Sequence, residues 1–132
     1  KYPDLNVVFQ EAGHWWVPFL RYRMDEFYEM HPEDVQITPR KHAAGERYLD
    51  RTPSAYLDDN VYLCTQPFAM PRNASEAEAM LELSHAEQLF TYSSDWPHQT
   101  LDPPTWFYTS RAFDDDTREA ILHGNAEAIL DL

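Results

Sequence analysis

The feature that most constrains this chain is an alternation along its length. Three short apolar, β-prone runs at residues 5–10, 61–65 and 89–93 are each followed by a helix-patterned stretch. Val, Ile, Phe, Tyr and Thr favour a pleated, half-buried backbone, and runs of four to eight such residues between turn signals read as strands. A strand–helix–strand–helix–strand–helix order predicts parallel strands joined by right-handed crossovers, an α/β fold. Three such strands leave two edges open, and a closed barrel of parallel strands takes about 250 residues. The 132 residues are therefore expected to be a single domain or a fragment, residues 1–132, with further chain expected ahead of Lys1.

Each element has a local signature. Pro3-Asp4 is a turn signal before the first run, which reads as a mostly buried strand, and Glu11-Ala12-Gly13 reads as the loop leaving it. A helix then carries Pro18 in its first turn, where proline is tolerated. Trp16, Leu20, Met24 and Phe27 fall on one apolar face. Residues 29–52 are polar, contain Pro32, Pro39 and Gly45, and predict a long surface excursion. Residues 53–59 predict a short helical turn into the second strand. Ser75 and Glu78 have capping-box spacing for a helix to about Ala86, with Met80, Leu81 and Leu83 inward or nearly so. Residues 99–112 read as a loop rich in proline and aromatics. Asp116 with Glu119 predicts a helix start and Gly124 its stop, with a last short helix over 126–130.

Composition excludes some functions. A chain 43% hydrophobic and 14% aromatic can build a packed core. No run approaches the ~20 apolar residues of a membrane span, so no membrane partner is expected. No basic-then-apolar leader argues for secretion. The net charge of −13 repels phosphate backbones and argues against nucleic acid. Only Lys1 and Lys41 are lysines; scarce lysine with abundant acid fits either adaptation to high salt or an ordinary acidic protein. The lone Cys64, in an apolar run, reads as packed and agrees with a reducing, cytoplasmic location. The Asn73-Ala74-Ser75 sequon carries no weight without a secretory signal. There is no Gly-rich phosphate loop, GxSxG elbow or Cys–His arrangement.

Asp95 is the sharpest candidate residue. In parallel barrels the reacting groups sit where strands end, and Asp95 follows the third run by two residues. A carboxylate there can ligate a divalent ion or accept a proton; equally, it can cap the loop before Pro97. Glu11 has the equivalent position after the first strand, as a substrate-orienting group or a solvent-exposed acid. His98, three residues beyond Asp95, is a candidate substrate contact or a surface histidine. Trp96 could line a substrate pocket, whereas Trp15, Trp16 and Trp106 read as core or loop packing. His14, beside Trp15 and Trp16, reads as structural; His31, His42, His85 and His123 read as surface residues.

Several of these segments together carry a resemblance. They are Tyr2-Pro3-Asp4-Leu5, Val7-Val8-Phe9, Glu11-Ala12-Gly13, and Trp16-Val17-Pro18 leading to Arg23 and Asp25. Pro53-Ser54, Tyr56, Asn60-Val61-Tyr62, Ser94-Asp95-Trp96-Pro97-His98 and Gly124-Asn125-Ala126 follow in order. The chain resembles the amidohydrolase-related family of metal-dependent TIM-barrel hydrolases and decarboxylases, whose relatives include aminocarboxymuconate-semialdehyde decarboxylase and resorcylate decarboxylase. The resemblance implies the C-terminal portion, about strands six to eight, of a (β/α)8 barrel. It implies that Asp95 is a metal ligand, the metal most often zinc, and that Asp95 takes a proton from metal-bound water. It implies hydrolysis or non-oxidative decarboxylation of a small carboxylate or cyclic substrate.

The chain departs from the family pattern in three places. It has no His-x-His motif, no counterpart of the fifth-strand histidine, and Glu11 where some relatives carry a histidine, which places it nearer a hydrolase-like branch. One carboxylate is too few for a zinc site, so this chain alone is expected to be inactive. Either a missing N-terminal barrel half or self-association is expected to cover its edges. The competing reading is a non-catalytic half-barrel module with binding or structural duties.

Overall fold

The computed structural model describes residues 4–31 and 49–132. Three short strands, β1 (Val7–Phe9), β2 (Val61–Cys64) and β3 (Phe90–Thr91), form one sheet in the order β1-β2-β3. Both pairings are parallel, with Phe9 opposite Leu63 and Leu63 opposite Phe90. The α/β parallel architecture is the one the alternation predicts. The strands are shorter than the apolar runs, but pairing of β2 and β3 continues past their ends: Thr65 N donates to Thr91 O at 2.9 Å, and Ser93 N donates to Thr65 Oγ1 at 3.1 Å.

Leu63 and Phe90, side by side in register, anchor the core with Val17, Phe68, Met80, Leu81, Leu89, Phe107, Phe113 and Ile121. Phe107 lies at its centre, with ring centroids 4.9 Å from Phe68, 5.2 Å from Phe113 and 5.5 Å from Tyr92. β1 departs from the buried strand expected of it. Val7, Val8 and Phe9 are 39%, 38% and 41% exposed, because β2 covers one side of the strand and no described residue pairs with the other.

Helix α1 (Trp16–Met30) packs on the sheet along a line one residue round from the predicted face. Val17, Arg21 and Tyr28 are buried, while Phe27 is exposed. The reason is polar. Arg21 makes a two-pronged ion pair with Asp58 and meets the His85 ring at 3.0 Å; Tyr28 Oη bonds Leu49 backbone groups at 3.2 Å. Asp25, one turn beyond Arg21 and on the same face, caps α2 (Pro53–Asn60) by accepting from Ser54 N at 2.9 Å and Ser54 Oγ at 2.6 Å. Most of the surface excursion expected over 29–52 lies outside the described residues.

Other elements correct the predicted boundaries. Helix α3 (Ala74–Leu83) is capped by Asn73, whose Oδ1 accepts from Ser75 N at 3.1 Å, so the sequon asparagine does the work assigned to Ser75. Instead of reaching Ala86 the helix ends at Leu83; after Ser84, His85 adopts φ 51° and α4 (Ala86–Leu89) follows. The supposed loop 99–112 contains α5 (Thr105–Thr109), preceded by Pro104 at its N-cap. Asp114, not Asp116, caps α6 (Asp115–Glu119), and hydrogen bonds from Thr117 hold its carboxyl below the ordinary range. Gly124 does not end the helix. A π-helical turn (Ala120–Gly124) runs straight into α7 (Asn125–Leu130). That terminal unit is clamped to the sheet: Tyr92 N donates to Ile121 O at 2.8 Å, and Asn125 Nδ2 donates to Phe90 O at 2.7 Å and Glu87 O at 2.8 Å. Among the described residues no helix is long and apolar enough to cross a membrane.

Candidate active site at the strand ends

Because all three strands are parallel, the loops leaving β1, β2 and β3 emerge on one edge of the sheet, the edge that carries chemistry in folds of this kind. Glu11 follows β1, Gln66 follows β2 and Asp95 follows β3.

The β3 loop is the most highly organised of the three. It is closed at its base by Asp102 N donating to Ser94 O at 3.0 Å and within by His98 N donating to Asp95 O at 2.8 Å. Asp102 is buried; its Oδ2 accepts from Phe68 N at 2.7 Å, which ties the β3 loop to the β2 loop, and its carbonyl accepts from Tyr92 Oη at 2.9 Å. Burial raises the Tyr92 hydroxyl above its ordinary range; a bond with Ser94 opposes the rise and the Asp102 charge adds to it. The hydroxyl therefore stays protonated and donating.

Inside this loop Asp95 sits at φ 58°, a left-handed conformation that a non-glycine residue holds at a cost of about 1–3 kcal/mol. The conformation turns its carboxylate into the loop, where the side chain is only 12% exposed. Oδ1 lies 2.7 Å from His98 Nδ1, and Oδ2 accepts from Thr100 Oγ1 at 3.1 Å. A carboxylate only accepts, so the Nδ1 of His98 carries the hydrogen and Nε2 is left toward solvent on a ring 67% exposed. An aspartate oriented between a histidine and a hydroxyl can hold a proton or pass one through the imidazole to a bound molecule.

The structure joins Asp95 to His98 and does not join Glu11 or Trp96 to that set. Glu11 is exposed, at φ 53°, and Trp96 is 77% exposed. Trp15 and Trp106 are 53% and 46% exposed, so neither is a core residue; Trp16 packs against the core, while Trp15 packs in the loops, its Nε1 donating to Ala69 O at 2.8 Å and its ring stacked on His14. His14 is buried at 1% exposure among the rings of Trp15, Phe68 and Phe90, and neither ring nitrogen has a partner among the described residues. Burial lowers its pKa to about 4, so it is neutral at pH 7. Two members of the site escaped the sequence reading, Thr100 and Gln66. The strand-end rule that selected Asp95 selects Gln66 equally; Thr100 carries no such signal, since loop closure alone brings it to the carboxylate.

Among the described residues no three His, Cys, Asp or Glu side chains converge to hold a metal ion. The described residues do not make a metal site by themselves, since a catalytic ion takes about three protein ligands.

A family model described as amidohydrolase matches residues 1–132, the whole chain. The chain belongs to the amidohydrolase family. No curated protein sequence matches it. Among solved structures this amidohydrolase chain is similar to 5-carboxyvanillate decarboxylase from Sphingomonas paucimobilis, with TM-score 0.62 and 20% identity over 99% of this chain and 35% of that one. It is also similar to dihydroxybenzoic acid decarboxylase from a Polaromonas species, solved with bound manganese and the inhibitor 2-nitroresorcinol. There the TM-score is 0.58 at 22% identity, covering 99% of this chain and 35% of that one. A third is 2,6-dihydroxybenzoate decarboxylase from Rhizobium, with TM-score 0.58, 20% identity and coverage of 98% and 35%. The amidohydrolase chain thus spans about a third of the length of the enzymes whose fold it shares.

Proposed function

We propose that this chain is the C-terminal portion, about strands six to eight, of a metal-dependent (β/α)8 barrel, and that it supplies Asp95 as the acidic group of the active site. The observation that carries this reading is the Asp95 carboxylate, held at a strand terminus between His98 and Thr100 with little exposure. His98 orients it, and the pair handles a proton. Glu11 and Trp96 are proposed to face substrate across the same edge. The divalent ion, zinc or manganese, needs ligands from outside this chain, so the 132 residues alone are inactive.

The complete enzyme would act on a small carboxylate or cyclic substrate by hydrolysis or by non-oxidative decarboxylation. Three fold neighbours named as decarboxylases of aromatic acids make carbon dioxide release from a dihydroxybenzoate the first assay. Turnover in the complete enzyme that is lost in Asp95→Asn supports the reading; turnover that survives the substitution refutes it. Metal analysis of the isolated 132-residue chain should find no stoichiometric zinc. A tightly bound ion there would contradict the reading that ligands are missing.

A further inference from the structure

Gln66 lies just beyond β2 and is only 4% exposed, yet it is polar. Its Nε2 is 3.4 Å from Thr100 Oγ1, and Thr100 Oγ1 is 3.1 Å from Asp95 Oδ2. The direction of this chain follows from the groups themselves. The carboxylate accepts, and threonine has one hydroxyl hydrogen to give, so that hydrogen goes to Asp95. Thr100 oxygen is then left to accept, and Gln66 must turn its NH2 toward it.

The amide holds that orientation at a cost. Gln66 Oε1 is buried without a partner among the described residues, and a buried polar atom left unpaired is destabilising. A residue present only to fill space would be served by leucine or methionine of similar volume, with no polar atom stranded.

We propose that Gln66 is a positioning residue for Asp95, acting through the Thr100 hydroxyl. It fixes the hydroxyl rotor so that the hydrogen points at Oδ2, and thereby holds the carboxylate plane with Oδ1 toward His98. The two loops are already tied at Thr65–Ser93 and at Phe68–Asp102, so Gln66 acts from a rigid base. The inference rests on Asp95 being the site's acid.

The experiment is a double-mutant cycle on the full chain, read by the Asp95 carboxyl ¹³C resonance at pH 7. Gln66→Leu should shift it. Gln66→Glu, nearly isosteric, should shift it further, because a second carboxylate competes for the single hydroxyl hydrogen. Neither change should move it in a Thr100→Val background. A response that persists without the hydroxyl, or a Gln66→Glu chain that behaves as wild type, overturns the relay. Backbone amide spectra matching wild type away from residues 66 and 94–102 establish that each variant is folded. In the complete enzyme Gln66→Glu should lower kcat on the order of 10²-fold, the scale of a slightly misplaced reacting group, with KM changed less. An Asp95→Asn enzyme with normal kcat sinks the site-acid reading. Loss of kcat in Asp95→Asn beside a normal Gln66→Glu enzyme sinks the relay alone.

Discussion

β1 and β3 are the two edge strands of one sheet, and each is followed by an acid in the left-handed region, Glu11 at φ 53° and Asp95 at φ 58°. The two acids are alike in backbone conformation, although Glu11 stands two residues past β1 and Asp95 four past β3; their surroundings are not alike. β3 is buried, its free side taken by the π-helical turn through Tyr92 N and by Asn125 on Phe90 O, and its acid is held by two side chains. β1 is about 40% exposed at every residue, and its acid is exposed with it. Backbone conformation thus places a carboxylate at a strand terminus, but packing around the strand decides whether that carboxylate is oriented. The β3 end is complete within these residues. At the β1 end, no described residue pairs with the outer side of the strand.

That contrast can be broken in several ways. The largest effect on stability is expected from Phe107→Ala, which empties the centre of the core beneath β3 and should cost about 3–5 kcal/mol by urea denaturation. The matching change at the other edge, Val8→Ala, should cost under about 1 kcal/mol, since the residue is already partly solvated. Equal losses would mean that the two edges are equally packed.

His14 tests the β3 side by pH. Its folded pKa of about 4 lies below the ordinary 6.5, so the unfolded chain binds the proton more readily. The stability it contributes is complete above pH 6.5 and is lost as pH falls through about 4, by up to about 3 kcal/mol. His14→Phe should flatten the difference in unfolding free energy between pH 7.5 and pH 4. A slope that is unchanged in the variant would show that His14 is not buried as a neutral ring.

A smaller loss, about 1–3 kcal/mol, is expected of Asp102→Ala, which leaves the Phe68 N–H without its acceptor. Smallest for the fold itself is Val8→Lys, which should leave the core intact yet abolish self-association if the open edge pairs with another copy. Sedimentation of the parent chain as a stable monomer at micromolar concentration would remove that expectation.

The centres of all three strands are legible, because their β-branched and aromatic residues favour a pleated, half-buried backbone. Their lengths are not, since a strand ends where its partner's backbone does. Pro103 and Pro104 suggested a loop, yet Pro104 sits where a helix start tolerates proline, and α5 follows. Gly124 suggested a stop, but the wider π turn carries the chain through it. Arg21 could not be placed inward from its own element; its partners Asp58 and His85 come from later in the chain. The site divides the same way. Asp95, His98 and, by the same rule, Gln66 follow from position after a strand, whereas Thr100 reaches the carboxylate, and Gln66 reaches Thr100, only once the loop closes through Asp102 and Ser94.

The most direct test is the turnover number of the complete enzyme carrying Asp95→Asn, measured beside its thermal stability. The acid role predicts a fall in kcat of about 10²-fold or more with the melting temperature close to that of the parent. A variant that turns over within twofold of the parent would show that the carboxylate at the end of β3 shapes its loop and takes no part in the chemistry.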